Sequence, residues 1–256
     1  MKTITSKENQ IYRLCSKLTS RKYRDLYGKY LAEGEKVVRE AQETGQNIQV
    51  VLVAQNHPIP QGYPCPVVSV ETKLFEKLAQ TMTSQGILAV INKVQPDEQT
   101  FLQQIKKKSG NVILLDRLQD PGNIGTIIRT ADAAGYSGVI TIKGTADLYG
   151  PKIVRAAAGS LFRMPVFSVD SPERAVSLLE AAGKTVIATG FQTDLYYYNV
   201  KMDRDIGLII GNEGNGISQE LMQLAHKVVK IPMEGTIDSL NASVAAGILM
   251  YESVRK

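Results

Sequence analysis

The sequence predicts an α/β protein whose second half forms a largely parallel sheet covered by helices. Short apolar runs typical of buried strands occur at 112–115, 138–142, 185–189 and 206–210. Segments with helical spacing of apolar residues alternate with these runs, at 122–134, 151–158, 172–182 and 217–225. A last strand at 228–231 precedes a final helix at about 240–254. This alternation favours a parallel sheet with helices on both faces.

The first half of the chain is predicted to form a smaller α/β unit. Helical spacing covers 2–30 and 36–44, and Glu33-Gly34-Glu35 separates the two segments. Strand-like runs follow at 50–54, 67–70 and 86–91, with a helix at 72–79. An exposed helix at 96–108 then connects the halves. We therefore predict domains at 1–95 and 111–256, joined by a linker at 96–110.

The composition is that of an ordinary globular protein, with 43% hydrophobic and 21% charged residues among 256. No apolar run approaches the roughly 20 residues needed to span a bilayer. The N-terminus lacks the apolar core and cleavage site of a secretory signal, so we expect a cytoplasmic protein and no membrane partner. Cys15 and Cys65 are isolated, and His57 and His226 follow no ligand spacing, so we expect no metal site.

The positive charge is concentrated at the N-terminus. Residues 1–40 contain ten Lys and Arg against five acidic residues, which accounts for the whole net charge of +5. Four tyrosines lie among these basic residues, a composition that suits phosphate contact and base stacking on a nucleic acid. The alternative interpretation is a solvated helix face, which a basic run alone would favour.

Three loops in the second half have a shared composition of small residues, asparagines and one or two charged residues, and each follows an apolar strand. Loops after parallel strands gather at the carboxyl edge of a sheet, so we expect the three loops to meet there. Their polar residues would then lie near a single site: Asn123, Arg129, Glu213, Ser239 and Asn241. The dinucleotide-binding, NTPase and nucleophile-elbow patterns are absent, which argues against dehydrogenases, NTPases and hydrolases.

The three loops carry a recognisable set of motifs. These are Asn123-x-Gly125-x-x-x-Arg129, Gly211-Asn212-Glu213-Gly214-x-Gly216, and Ile231-Pro232-Met233 with Ser239-Leu240-Asn241-x-Ser243-x-Ala245. In this order they resemble the signature motifs of the SpoU (TrmH-type) branch of the SPOUT RNA methyltransferases, over roughly residues 108–256. The preceding residues 30–41 are similar to that family's small substrate-binding domain, whose fold is like ribosomal protein L30e.

The resemblance implies an S-adenosylmethionine-dependent RNA ribose 2′-O-methyltransferase with a deep trefoil knot, acting as a homodimer. By motif position, it implies that the cofactor is bound by Gly190, Gly211, Ile231, Met233 and Leu240. Candidate RNA-binding residues are Lys17, Arg21, Lys22, Arg24 and Arg39. We expect 23S ribosomal RNA as the substrate, because an appended N-terminal module of this type fits it better than tRNA. The alternatives are a tRNA methyltransferase and a non-catalytic RNA-binding or ribosome-assembly protein with a vestigial site.

In this family an arginine at the position of Arg129 acts either as the base or by fixing the adjacent phosphate. We favour the phosphate role, since arginine stays protonated in proteins. Asn123, Ser239 and Asn241 could hydrogen-bond Arg129 or the ribose, while Glu213 could orient a loop. Structural alternatives remain for each: Asn123 or Ser239 as a helix cap, Asn241 in a first turn, and Glu213 in an ion pair with Arg129 or a lysine. The tyrosines at 196–198 could stack on RNA bases or pack against a second subunit.

Overall fold

The computed structural model describes residues 3–81, 83–107, 110–202 and 204–255. Its strands are β1 Thr3–Ile4, β2 Lys29–Glu33, β3 Ile48–Ala54, β4 Val67–Val70, β5 Ile87–Asn92, β6 Val112–Leu115, β7 Gly138–Ile142, β8 Val166–Val169, β9 Thr185–Thr189, β10 Ile206–Ile210 and β11 Lys227–Val229. Its α-helices are α1 Gln10–Leu18, α2 Arg21–Tyr27, α3 Glu35–Glu43, α4 Thr72–Leu78, α5 Glu98–Lys107, α6 Pro121–Ala133, α7 Pro151–Ala156, α8 Pro172–Ala181, α9 Gln219–Leu224 and α10 Ala242–Glu252.

The chain folds into two compact units, and each unit is formed by two separate segments of the sequence. The first contains residues 1–94 together with 147–162, and the second contains residues 95–146 and 163–256. The segment at 147–162, predicted within the second domain, joins the first unit through specific contacts. Asp147 pairs with the Arg24 guanidinium at 2.7 Å, and the Tyr149 ring packs on Tyr30 with centroids 4.9 Å apart.

The first unit is built on a mixed sheet with strand order β1-β4-β3-β5-β2. The strand β4 is parallel to β1 and β3, while β5 is antiparallel to β3 and β2. One face of this sheet packs on α1 and α4, where Cys15, Leu18, Phe75 and Leu88 are almost fully buried. This unit therefore has its own hydrophobic core.

The predicted helix at 2–30 is wrong at both ends. The structure has a short strand at Thr3–Ile4, two helices, and then strand β2 at Lys29–Glu33. Gly28 ends α2 in the left-handed conformation, with φ of 60°, which a glycine adopts without strain. The residues that follow form the edge strand β2, which pairs with β5, and most of them are buried because helices pack against this strand.

The second unit contains a sheet of parallel strands in the order β11-β9-β10-β6-β7-β8. The predicted strands at 112–115, 138–142, 185–189 and 206–210 are confirmed with those bounds. The prediction missed β8, a four-residue edge strand that is only partly buried and includes the polar Ser168. Such a strand lacks the continuous apolar run of a buried parallel strand.

Residues 96–110, predicted as a linker, instead contain a helix of the second unit. Helix α5 places Phe101 and Ile105, both fully buried, in the core against the sheet. The side chains of Lys108 and Ser109, which fall in the predicted linker, lie outside the described residues. Over the residues that the structure describes, the helices are too short or too polar to cross a membrane.

Candidate active site

The carboxyl edge of the second sheet brings together the three loops. Strand β10 pairs in parallel register with β6 and β9, and Ile210 lies opposite Leu115 at the end of the ladder. On the far side of β9, Val229 of β11 lies opposite Thr189. The segments after β6, β9, β10 and β11 therefore start at one edge of the sheet. This is where an open parallel sheet places ligands.

A chain of side-chain hydrogen bonds, here called the amide relay, joins one residue of each loop. Asn123 donates through Nδ2 to Oε1 of Glu213 at 3.3 Å and accepts at Oδ1 from Asn241 Nδ2 at 2.9 Å. The three residues lie 90 and 118 positions apart along the sequence. The convergence predicted for these three residues is confirmed.

The structure identifies the residues that cap helices α6 and α10. The N-cap of α6 is Asp120, whose carboxylate accepts from the Asn123 N–H at 2.8 Å, so the cap predicted at Asn123 is wrong. Asn241 is the N-cap of α10 and accepts from two first-turn N–H groups. The alternatives of a cap at Ser239 and of Asn241 within the first turn are therefore also wrong.

Glu213 fixes the loop before α6. Its carboxylate accepts from the backbone N–H groups of Gln119 and Asp120, at 3.1 and 3.0 Å, besides the Asn123 amide. Partial burial raises the pKa of Glu213, but these hydrogen bonds together outweigh that effect, so its pKa is lowered. The alternative of an ion pair with Arg129 or a lysine is wrong, since the described partners of Glu213 are N–H groups of the first loop.

The loop after β10 folds back on its own start. Asn212 exchanges two backbone hydrogen bonds with Gly216, both at 2.9 Å. Its side-chain Oδ1 accepts from the N–H groups of Gly214 and Asn215. A Cβ on Gly211 would overlap the backbone of Gly216 and Ile217. Only glycine allows this close return of the chain.

A buried carboxylate ties the first loop to the second, a contact that the sequence did not reveal. Asp116 is fully buried and accepts from the Ser218 N–H at 2.7 Å and from the Arg117 Nε at 2.9 Å. Arg117 itself adopts the left-handed region, with φ of 56°, and its carbonyl accepts from Asn212 Nδ2 at 2.8 Å. Strain at a residue held by several bonds is common beside functional sites.

Arg129 and Ser239 lie outside the amide relay. Arg129 is exposed on α6, six residues after Asn123 and thus about 9 Å further along the helix axis. No hydrogen bond or ion pair joins either side chain to another residue in the described part of the chain. The structure therefore leaves the guanidinium of Arg129 facing solvent rather than using it to hold the loops.

The residues that the resemblance assigns to the cofactor lie in the loops after β9, β10 and β11. Gly190 and Gly211 directly follow β9 and β10, which are neighbouring strands. Ile231, Met233 and Leu240, from the loop after β11, are partly exposed, so their apolar surface is available to a ligand. No cluster of metal-ligating side chains occurs within the described ranges.

Two of the candidate RNA-binding residues form an exposed surface with tyrosines of the first unit. The rings of Tyr23 and Tyr27 stack with centroids 5.9 Å apart, and Lys17 Nζ lies 5.5 Å from the Tyr23 centroid. Lys22 Nζ lies 5.9 Å from the same ring. Arg21 and Arg39 are exposed as well, each near a carboxylate one turn along its helix.

Arg24 is corrected to a structural residue. It is buried, and its Nε contacts Asp147 at 2.7 Å while its Nη1 donates to the carbonyls of Leu18 and Thr19. These acceptors use the guanidinium inside the fold, so it is not presented to an RNA backbone. Burial and internal hydrogen bonds distinguish Arg24 from the four other candidate RNA-binding residues, which are exposed.

Comparison with known families agrees with the motifs. Residues 110–251 match the SpoU rRNA Methylase family, and residues 9–89 match the MRM3-like substrate binding domain. Together these matches cover most of both predicted domains.

Individual relatives match the chain over nearly its full length. It is 37% identical over 255 residues to the 23S rRNA (guanosine(2553)-2′-O)-methyltransferase RlmP of Bacillus subtilis, covering 98% of each chain. The AdoMet-bound rRNA methyltransferase from Sinorhizobium meliloti superposes with a TM-score of 0.87 at 31% identity, over 98% of this chain and 97% of that one. The SpoU methyltransferase AviRb from Streptomyces viridochromogenes, solved with AdoMet, has a TM-score of 0.87 at 30% identity, over 96% and 97%.

Matching motifs, the parallel sheet that positions them and full-length relatives agree on one assignment. The chain belongs to the SpoU family and is an S-adenosylmethionine-dependent RNA 2′-O-methyltransferase.

Proposed function

We propose that this methyltransferase modifies a ribose 2′-oxygen of 23S ribosomal RNA. The observation that supports catalysis most directly is the amide relay, because it holds all three motif loops together at one edge of the sheet. The ribosomal target is supported by the relative from Bacillus subtilis, whose name specifies 23S rRNA and which is matched over 98% of its length. A tRNA substrate is the second candidate.

The bound cofactor supplies an electrophilic methyl group on a sulfonium centre. The loop residues Ile231, Met233 and Leu240 would pack against its apolar parts, while backbone groups near Gly190 and Gly211 would meet its polar edges. A sulfonium cation is favoured near carbonyl oxygens, which are plentiful where several strands end. The cofactor-binding role of these five residues is part of the proposal.

Arg129 would bind the phosphate next to the target ribose. A planar guanidinium can donate two parallel hydrogen bonds to a phosphate, and its exposure on α6 leaves those donors available. Fixing the phosphate aligns the 2′-oxygen for attack, and alignment can account for a large part of a rate enhancement. Ser239, also exposed, would contact the ribose.

The relay residues would act by positioning rather than by proton transfer. The lowered pKa of Glu213 keeps its carboxylate charged and accepting from three N–H groups at neutral pH. The Asn123 amide is committed to the relay, and the Asn241 amide is committed to both the relay and the cap of α10. These residues therefore fix the loops that surround the reacting groups.

The proposal includes a homodimer and a trefoil knot. Val244, Tyr251 and Val254 leave apolar surface exposed along one side of α10 and just beyond it, with relative exposures of 51%, 53% and 42%. A second copy could cover this surface. The knot is proposed from the membership of the chain in the SpoU family. We also propose a cytoplasmic location, where ribosomal RNA is available.

The test compares methylation of a 23S rRNA fragment and of tRNA, with the product mapped for 2′-O-methyl groups. Arg129→Ala should bind S-adenosylmethionine normally in calorimetry but lose about 100-fold in kcat/KM for RNA. Lys227→Ala removes an exposed cation at the opposite edge of the sheet and should leave methylation unchanged. Absence of cofactor binding by the wild-type protein would refute the enzymatic assignment, and methylation of tRNA alone would refute the ribosomal target.

A further inference from the structure

An open cleft of about 710 Å³ lies in the first unit, and Arg39 is the candidate RNA-binding residue that lines it. It is lined by the start of α3, the loop after β3 and the turn before β5. Its polar and charged lining includes the side chains of Glu35, Lys36, Arg39, Asn56, His57 and Gln85. Its volume falls within the range of sites that bind small molecules, roughly 300–1,000 Å³.

Two glycines allow the walls of this cleft to close on each other. Gly34 has φ of 105°, and a Cβ there would lie 2.7 Å from Gln85 Oε1. Gly86 has φ of 73°, and a Cβ there would lie 2.6 Å from His57 Cδ2. The positive φ favours glycine at both positions, and at Gly86 the close His57 ring leaves no room for a Cβ as well. The side chains of Gln85 and His57 rest directly on the backbone as a result.

Hydrogen bonds hold the same two side chains in place. Gln85 Oε1 accepts from the Glu35 N–H at 2.9 Å. The ring nitrogens of His57 lie 2.8 Å from the Pro58 carbonyl and 3.1 Å from Glu35 Oε1. The imidazole is thus fixed although the cleft is open, which is the preorganisation expected of a binding site.

The cations at the rim are available to a ligand. Lys36 and Arg39 project from α3 one turn apart, and their side chains are 65% and 63% exposed. Each has a carboxylate neighbour on the same helix, at 3.9 Å from Glu40 and 3.8 Å from Glu43. The Arg39–Glu43 pair is exposed on both sides and contributes little stability, so a phosphate could replace its carboxylate. Glu40 is largely buried, but the 3.9 Å separation leaves the exposed Lys36 ammonium able to contact a phosphate as well.

The mixture of groups identifies the kind of ligand. A free phosphate would be repelled by the exposed carboxylate of Glu35, whereas a nucleotide has both a phosphate for the cations and base N–H groups for that carboxylate. Asn56 and Gln85 add amide groups, which suit the hydrogen-bonding edges of an unstacked base. The fixed His57 ring, with a side chain that is 17% exposed, borders the same cleft.

We infer that this cleft binds one unpaired nucleotide of the substrate RNA. Lys36 and Arg39 contact its phosphate, and Asn56, Gln85 and Glu35 contact the base edge. The inference rests on the proposed function, because it assigns a second contact point on the RNA that the active site modifies. It makes the first unit a reader of a specific looped-out position rather than a general basic surface.

The test uses the full chain and an rRNA fragment that the wild-type enzyme methylates. The double variant Lys36→Ala/Arg39→Ala removes the phosphate contacts. Asn56→Ala removes a base contact without changing charge, and Asn56 makes no hydrogen bond in the described structure. Lys77→Ala, an exposed cation on α4, is the control. Fluorescence anisotropy, KM and kcat are measured for each variant, with S-adenosylmethionine binding as a check of folding.

We expect both cleft variants to raise Kd and KM for the RNA about tenfold, with kcat and cofactor binding within twofold of wild type. Lys77→Ala should leave all four values unchanged. Photocrosslinking of the same fragment substituted with 4-thiouridine should yield adducts within 54–58 or 84–86. Normal Kd and KM for Asn56→Ala would overturn the inference, even if the charge variant binds more weakly. Failure of the wild-type enzyme to methylate any rRNA would instead refute the proposed function.

Discussion

Asn241 performs two tasks that a pair of substitutions can separate. Its Oδ1 caps α10, accepting from the N–H of Ser243 at 2.9 Å and of Val244 at 3.4 Å. Its Nδ2 donates to Asn123 Oδ1 at 2.9 Å in the amide relay. Asn241→Ala removes both functions. Asn241→Asp keeps an equally good cap but has no donor for Asn123, so it removes only the relay contact.

The expected magnitudes follow from these contacts. Loss of an N-cap costs about 1 kcal/mol, and loss of a neutral hydrogen bond contributes about 1 kcal/mol more. Asn241→Ala should therefore lower the free energy of unfolding by about 2 kcal/mol. In Asn241→Asp the negative charge at the start of a helix recovers about 0.3–1 kcal/mol, so its net loss should stay below about 1 kcal/mol. Two acceptor oxygens then face each other, and the third loop must move away from the first.

Urea denaturation and steady-state methylation measure the two effects independently. We expect Asn241→Asp to be nearly as stable as wild type yet to have weakened cofactor affinity and reduced kcat/KM. Ser171→Ala is the control, because Ser171 caps α8 by accepting from the Arg174 N–H and takes no part in the relay. It should lose stability with normal methylation. Wild-type kinetics in Asn241→Asp would refute the positioning role of the relay.

Three further predictions concern single residues. Gly211→Ala should destabilise the protein and abolish cofactor binding in calorimetry, whereas Gly214→Ala, whose Cβ would meet only a side-chain oxygen at 3.6 Å, should not. The pKa of Glu213 is lowered in the folded protein, so its carboxylate stabilises the fold at pH values above its ordinary pKa of 4.5. This stabilisation is lost as the pH falls through the pKa of the folded state. The denaturation midpoints of wild type and Glu213→Gln should therefore converge in acid. Arg24→Ala should lower the free energy of unfolding by about 3 kcal/mol, because it removes the buried guanidinium that pairs with the largely buried carboxylate of Asp147. Lys22→Ala should change it by less than about 0.5 kcal/mol.

The central strands of the second sheet could be predicted from the sequence because their residues are buried on both faces. Val112–Leu115 and Ile206–Ile210 are apolar throughout and end at polar or glycine residues, so their bounds are visible in the sequence. The same rule fails for β8, where one side of an edge strand meets solvent. It also fails for Lys29–Glu33, because the sequence pattern assigns this segment to the amphipathic helix that precedes it.

The site could be predicted only as far as the motifs reach. The motifs identify Asn123, Glu213 and Asn241, but they do not predict which hydrogen bonds form among the three side chains. The Asp-Pro pair before Gly122 is itself a helix-start signal, and it indicates Asp120 rather than Asn123 as the cap. Asp116 gives no comparable signal, because its partner Ser218 lies 102 residues away and contributes only a backbone N–H.

The hydrogen bonding of the site supports the proposed role of Arg129 as a phosphate contact. The polar side chains of the three loops bond largely to one another: the carboxylate of Glu213 to N–H groups of the first loop, Asn123 to Glu213, and Asn241 to Asn123 and its own helix. A side chain held in this way can shape a pocket but has few free donors for a substrate. Arg129 has no such partner among the described residues, and it lies on a helix whose start the relay fixes. Loops that are rigid through mutual contacts and a cation that is free to bind phosphate are together what alignment of a ribose requires.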